Sequence, residues 1–140
     1  MFRIKNEKKR AKDIYKWTLS TIDYGQAKRA VGYRNSIEIL NDREGVCGEM
    51  TYLYVALARA SNLKAKYVRV YKDENGKKVS HACAAVYPYG YQINVDIASS
   101  IFDARHQKTK VISDAEMMAL FEQWRWKKSD PEHLKKNLNN

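Results

Sequence analysis

The stretch REGVCGEMTYLYVALARASNL, residues 43–63, decides how the chain is read. Gly45 and Gly48 flank Cys47, and a mostly apolar run follows. Cys47, Met50, Leu53, Tyr54 and Leu57 recur at helical spacing and make one stripe. The spacing predicts a helix from about Val46 to Ala60, closed at Asn62, a residue that tolerates a left-handed turn. Cys47 then sits in the first turn on the inward face. Free N–H groups and the positive end of the helix dipole lie there, and both favour a thiolate over a thiol. A small apolar cysteine opening a core helix would look the same. The rest of the chain has to separate packing from chemistry.

Upstream, residues 7–23 read as a helix with Ala11, Ile14, Tyr15, Thr18, Leu19 and Ile22 on one side. Gly25 is its stop, and Trp17 lies at the edge of the buried face as a packing residue. GQAKRAVGYRN (25–35) has two glycines and no period, so it reads as a loop. Ser36 is the expected cap of a short helix, SIEILND. Downstream the period changes to alternation. KAKYVRVYK (64–72), KVSHACAAVY (78–87) and YQINVDIA (91–98) read as strands, with Asn75-Gly76 as a hairpin turn. KVIS (110–113) adds a short strand. Ser113 and Glu116 form a capping box for a helix to about Lys127, with Met117, Leu120, Phe121 and Trp124 inward. Asp130-Pro131 could open a last helical turn. The layout is α+β: helices, an antiparallel sheet, then a C-terminal helix. Residues 1–128 form one domain, and 129–140 read as a frayed tail.

Strand register brings a second chemical group into view. Val79, His81, Cys83 and Ala85 share one strand face. Tyr87-Pro88-Tyr89-Gly90 suits a type I turn, which pairs Val86 with Tyr91 and sets His81 opposite Asp96. Directly opposed side chains lie about 5 Å apart at Cβ, close enough for a carboxylate to orient an imidazole. A thiol nucleophile needs a base, and the base needs an orienter. Cys47, His81 and Asp96 fit those roles. Periodicity does not place the helix start beside the hairpin.

Composition limits the function classes. The chain has 140 residues, 44% of them apolar, with ten tyrosines, which is enough for a real core. Its formal charge of +10 favours acidic partners, but the basic residues are scattered and carry no nucleic-acid signature. Nucleic acid is not the expected main partner. No apolar run reaches the roughly 20 residues needed to cross a bilayer, and MFRIKNEKKRAKD has no signal-peptide core, so no membrane association and a cytoplasmic location are expected. Two cysteines are too few for a disulfide scaffold. No phosphate loop and no zinc-ligand spacing are present, so no cofactor and no metal are expected. His106, in the polar DARHQK, and His133 read as surface histidines.

REGVCGEMTYLYVALARASNLKAKYVRVY followed by SHACAAVYPYGYQINVDIA resembles the core of the transglutaminase-like superfamily. AKDIYKWTLSTIDYG is similar to the family's early helix, and SIEILNDREGVC to its approach to the nucleophile. The resemblance covers roughly residues 11–98. It implies a papain-like arrangement in which Cys47, at the start of a central helix, meets His81 and Asp96 on an antiparallel sheet. The Cys47 N–H is the implied first oxyanion donor, and Gln26, Tyr33 and Trp17 are candidates for the second. Cys83 replaces the aromatic residue usual two places after the histidine, and Tyr91 at best represents the tryptophan usual before the aspartate strand. Cys83 could therefore line the same cleft and be oxidised against Cys47. The activity implied is a cysteine peptidase or amidase acting on a peptide or protein, acidic substrates included. A glutamine-crosslinking acyltransferase and a non-catalytic binding module are the alternatives on this fold.

Overall fold

The computed structural model describes residues 2–29 and 32–126, with side chains from residue 6 onward. The expected turn at Asp130-Pro131, the frayed tail with His133, and the domain end at 128 lie outside the described residues. Among the described residues, four α-helices and a five-stranded antiparallel sheet form the α+β fold anticipated from the pattern.

Helix α1 (Phe2–Thr21) starts earlier and stops sooner than its apolar stripe suggests. Ala11, Tyr15, Thr18 and Ile22 are buried, and Trp17 stays 43% exposed at the stripe's edge. Helix α2 (Ser36–Asp42) is capped one residue earlier than expected. Asn35, not Ser36, accepts the Glu38 N–H at 2.9 Å, while the Glu38 carboxylate accepts the Asn35 N–H at 3.0 Å. Asn carries the capping oxygen as well as Ser does, and only position 35 places glutamate at the third helical residue.

Helix α3 (Cys47–Ala60) is the central element. Met50, Leu53, Tyr54 and Ala58 enter the main core, and Tyr54 donates its hydroxyl to the Ala11 carbonyl of α1 at 2.8 Å. Leu53 and Tyr54 are fully buried, and such a side chain contributes roughly 1.5–3 kcal/mol by leaving water. Asn62 takes the left-handed conformation at φ 63°, as expected, and the Leu63 N–H turns back to the Ala58 carbonyl.

Two short strands, β1 (Asp23–Tyr24) and β2 (Glu44–Gly45), pair in parallel and tie the end of α1 to the approach to Cys47. Neither has enough residues to show a period. The main sheet contains β3 (Ala65–Lys72), β4 (Lys78–Val86), β5 (Ile93–Asp96), β6 (Ile101–Phe102) and β7 (Lys108–Ile112), in the order β6-β5-β4-β3-β7. The hairpin between β3 and β4 uses the Asn75-Gly76 signal. Asp73 accepts the Gly76 N–H, and Gly76 takes φ +81°, which only glycine adopts freely.

The turn between β4 and β5 corrects the expected register. The Gly90 N–H does reach the Tyr87 carbonyl, closing the turn at 87–90. Tyr89, however, sits at φ 61°, which makes the turn type II, and a second turn follows from the Tyr91 N–H to the Pro88 carbonyl. The loop is longer by two residues, so Val86 pairs with Ile93 rather than Tyr91. A shift of two keeps every residue on its face. His81 and Asp96 thus still share a face, as diagonal neighbours instead of direct partners.

Helix α4 (Asp114–Arg125) follows the Ser113 cap and turns Met117, Leu120 and Phe121 onto a cluster of Tyr52, Tyr67, Ala82 and Ile112. Its far end docks on the loop before α2, where the Gly32 and Tyr33 N–H groups donate to the Arg125 and Trp124 carbonyls at 2.8 and 3.2 Å. A β-carbon at Gly32 would collide with those backbone carbonyl groups. Gly32→Ala is expected to lower stability by about 1–3 kcal/mol, the usual cost of overpacking, read as a drop in the urea midpoint at unchanged slope.

Candidate active site

Residues 25–35, expected to be a plain loop, hold the charge cluster that fixes the approach to Cys47. The Arg34 guanidinium uses all of its N–H groups: Nε to Glu49, Nη1 to Asp42 and Glu44, and Nη2 to Glu49 and the Gly25 carbonyl, each at 2.9–3.0 Å. Glu49 also accepts from Arg29, from the Arg34 backbone and from the Val46 N–H. Its side chain is 0% exposed, and that of Arg34 is 1% exposed. Glu49 therefore ties α3 to the chain on both sides of α2. Val46, immediately before Cys47, is held by the same carboxylate at 3.0 Å.

Cys47 is the first residue of α3 and is half-buried. The first intrahelical bond is Met50 N–H to the Val46 carbonyl, so helix geometry leaves the N–H groups of Cys47, Gly48 and Glu49 without an intrahelical acceptor. Cys47 packs beside Tyr33, Tyr52 and Tyr67. All three phenols are pushed well up, first by burial and then by neighbouring charges that include Cys47. They form a neutral aromatic wall.

The structure brings His81 and Asp96 into direct contact, with Cys47 at the nearby start of α3. His81 Nε2 lies 2.8 Å from Asp96 Oδ2, and Cys47 stands near enough for its charge to bear on the imidazole. Since Nε2 faces Asp96, Nδ1 is the nitrogen left for the thiol. Burial alone would depress His81, but its hydrogen bond to Asp96 and the charges of Asp96 and Cys47 raise it to about 10. Burial likewise opposes the Asp96 carboxylate, yet His81, the Ser99 N–H and His106 hold it below its usual range. A raised histidine pKa adds stability that is complete below the unfolded value of 6.5 and is lost as pH climbs through about 10. Urea unfolding should therefore show the gap between wild type and His81→Asn narrowing from about pH 6 to about pH 10.5.

Of the three side chains considered for the second oxyanion donor, Tyr33 is the one set against the helix start. Its hydroxyl and ring edge occupy the space a β-carbon at Gly48 would need, which accounts for glycine there. Gln26 is half-buried in the loop after β1, with its carbonyl accepting the Arg29 N–H. Trp17 stands on α1. Tyr24 was missed by sequence reasoning: it pairs with Gly45, two residues before Cys47, and its hydroxyl is pushed up by burial and by the charge of Cys47. A two-residue parallel pair leaves no signal in the sequence.

Cys83 does not line an open cleft. It is fully buried among Val68, Val70 and Ala85, and burial pushes its thiol well up. Both cysteines are free thiols. His106 is the clearest correction, because it is not a surface residue. Its side chain is 3% exposed, and Nε2 lies 2.7 Å from Asp96 Oδ2, the oxygen His81 also uses. The donor atoms of His81, Asp96 and His106 lie within 4.8 Å of one another, a cluster no sequence spacing announced.

The family model of the transglutaminase-like superfamily matches residues 2–97. The chain belongs to this superfamily. No curated protein matches it. Among solved structures it is similar to LapG of Legionella pneumophila, at 10% identity and a TM-score of 0.60 over 84% of this chain and 76% of that one. It is also similar to a protein from Cytophaga hutchinsonii named as a candidate cysteine protease, at 21% identity and a TM-score of 0.55 over 74% of this chain. A candidate protease from Parabacteroides distasonis is similar at 14% identity, with a TM-score of 0.51 over 64% of this chain. The superfamily member described here spans 40% of the Cytophaga protein and 20% of the Parabacteroides protein. At these identities the likeness is one of fold. No helix among the described residues is long and apolar enough to cross a membrane.

Proposed function

We propose that the protein is a cysteine peptidase or amidase that hydrolyses an amide or isopeptide bond through a thioester on Cys47, with His81 and Asp96 completing a catalytic triad. The observation that supports this reading is His81, hydrogen-bonded to the buried Asp96 at 2.8 Å and set where Cys47 at the start of α3 bears on its charge. His81 takes the proton of the Cys47 thiol, and its pKa, raised to about 10, holds that proton for the leaving amine. Sulfur attacks the carbonyl carbon, and the oxyanion meets the free N–H groups at the start of α3. The C–N bond breaks as the leaving amine takes the proton from His81 Nδ1. Water then gives a proton back to His81 while its oxygen attacks the thioester, releasing the acid and restoring Cys47. Asp96 keeps the imidazole oriented and balances its charge without itself being protonated.

The formal charge of +10 suits an acidic peptide or protein as the substrate. The reading is tested by incubating wild type with a peptide library containing glutamine and acidic sequences, with and without a primary amine, and following mass changes. Cleavage or deamidation is expected, and Cys47→Ser should abolish it. Amine incorporation that outpaces hydrolysis would make the protein a crosslinking enzyme instead. Turnover surviving in Cys47→Ser would remove the thioester from the reaction.

A further inference from the structure

His106 has no part in the steps above, yet it is bonded to the group that orients the base. Its Nε2 and that of His81 converge on one oxygen, Asp96 Oδ2, at 2.7 and 2.8 Å. The other oxygen, Oδ1, accepts the Ser99 N–H at 3.0 Å. Three donors from three separate segments thus fix a carboxylate that is 0% exposed. The two imidazole rings meet edge to face at 6.0 Å.

The segment carrying His106 is itself anchored at several points. The Ala104 N–H donates to the Asn94 carbonyl at 2.7 Å, and the Arg105 N–H to Glu74 at 2.8 Å. The Gln107 N–H and side chain donate to the carbonyls of Asp73 and Glu74 at 3.2 and 3.1 Å. The β3–β4 hairpin tip and the side of β5 therefore dictate where the His106 ring stands. The other titratable groups bearing on Asp96 are His81, Cys83 from β4 and Tyr15 from α1, with Cys47 reached through His81.

We infer that His106 is a positioning residue, which holds Asp96 and through it His81 in the geometry that acyl transfer from Cys47 requires. The inference rests on the proposed roles of those three residues. Without His106, Asp96 Oδ2 would have His81 alone, and only the Ser99 N–H on Oδ1 would hold the carboxylate against turning with that imidazole.

A metal ion held by His81, Asp96 and His106 is the competing use of the same atoms. The unpartnered nitrogen of His106 decides against it. Nδ1 is buried with no hydrogen-bond partner. A metal on Nε2 would force the ring hydrogen onto Nδ1 as a buried donor without an acceptor, where metal-binding histidines normally have one. Donation from Nε2 to Asp96 leaves only a bare lone pair there.

The test begins with ¹⁵N-labelled Cys47→Ser protein, whose imidazole N–H resonances are read apart from any attack by Cys47. Two low-field N–H resonances are expected, one from each histidine. In the Cys47→Ser background, His106→Leu should remove one and displace the other, and His106→Gln, which can still present an N–H, should restore the position of the His81 resonance. In protein with Cys47 intact, His106→Leu should shift the pH profile of Cys47 alkylation to the alkaline side, and the glutamine variant should bring it back. On the peptide substrate, kcat should fall roughly 10- to 100-fold with KM little changed, as for residues that hold a functional group through another. A His81 resonance unmoved by His106→Leu, with an unchanged alkylation profile, would reduce His106 to core packing. Loss of both resonances on adding stoichiometric Zn²⁺, blocked by His106→Leu, would assign the cluster to a metal and overturn the inference.

Discussion

Glu49→Ala is expected to cost about 3–5 kcal/mol, a large share of the 5–15 kcal/mol that holds a domain of this size folded. Removing the carboxylate leaves Arg34, with a side chain 1% exposed, and Arg29, at 4%, facing each other without the anion between them. Glu44 and Asp42 still neutralise part of Arg34. Arg29 has only Glu49 as its ion-pair partner among the described residues. The Val46 N–H loses its acceptor as well, which loosens the residue before Cys47. Urea unfolding measures the loss directly, and a cost below about 1 kcal/mol would mean that water reaches the cluster. Glu49→Gln should lie between, because it keeps the shape and loses the charge.

His81→Ala should act on chemistry and leave the fold largely intact. Turnover on a peptide substrate is expected to fall at least about a thousandfold, roughly 4 kcal/mol of transition-state stabilisation, as for removal of a base from a nucleophile–base pair. The remaining Asp96 is not stranded, since His106 and the Ser99 N–H still donate to it. The contrast with Glu49→Ala is the useful point. In the proposed mechanism one buried carboxylate supports the fold, and the other orients the group that carries the proton. A His81→Ala enzyme within about tenfold of wild type would place the base elsewhere.

What could be read from the chain follows from which interactions have a period. The α3 stripe through Met50, Leu53 and Tyr54 was legible because a core helix repeats its contacts every turn. The His81–Asp96 pairing was legible for a less secure reason. The expected register was off by two, yet parity placed both residues on the correct face, and side chains long enough to meet on the diagonal did the rest. Arg34 and His106 were not legible. The Arg34–Glu49 bond joins residues 15 apart across the whole of α2 and β2, and the His106–Asp96 bond depends on a loop pinned by the hairpin tip. Such contacts are set by three-dimensional closure, and a polar segment like DARHQK looks solvated until the loop folds back.

The most direct measurement is the rate of Cys47 alkylation by iodoacetamide between about pH 5 and pH 9, in wild type and in His81→Ala, with sites assigned by peptide mapping. Cys83 is fully buried and would label slowly whatever the chemistry, so the comparison between variants carries the weight. Rapid labelling of Cys47 at about pH 6, collapsing in His81→Ala, is the expected result. Labelling of Cys47 that is equally slow at about pH 6 in both proteins, and rises only as an ordinary thiol ionises, would contradict a nucleophile activated by His81.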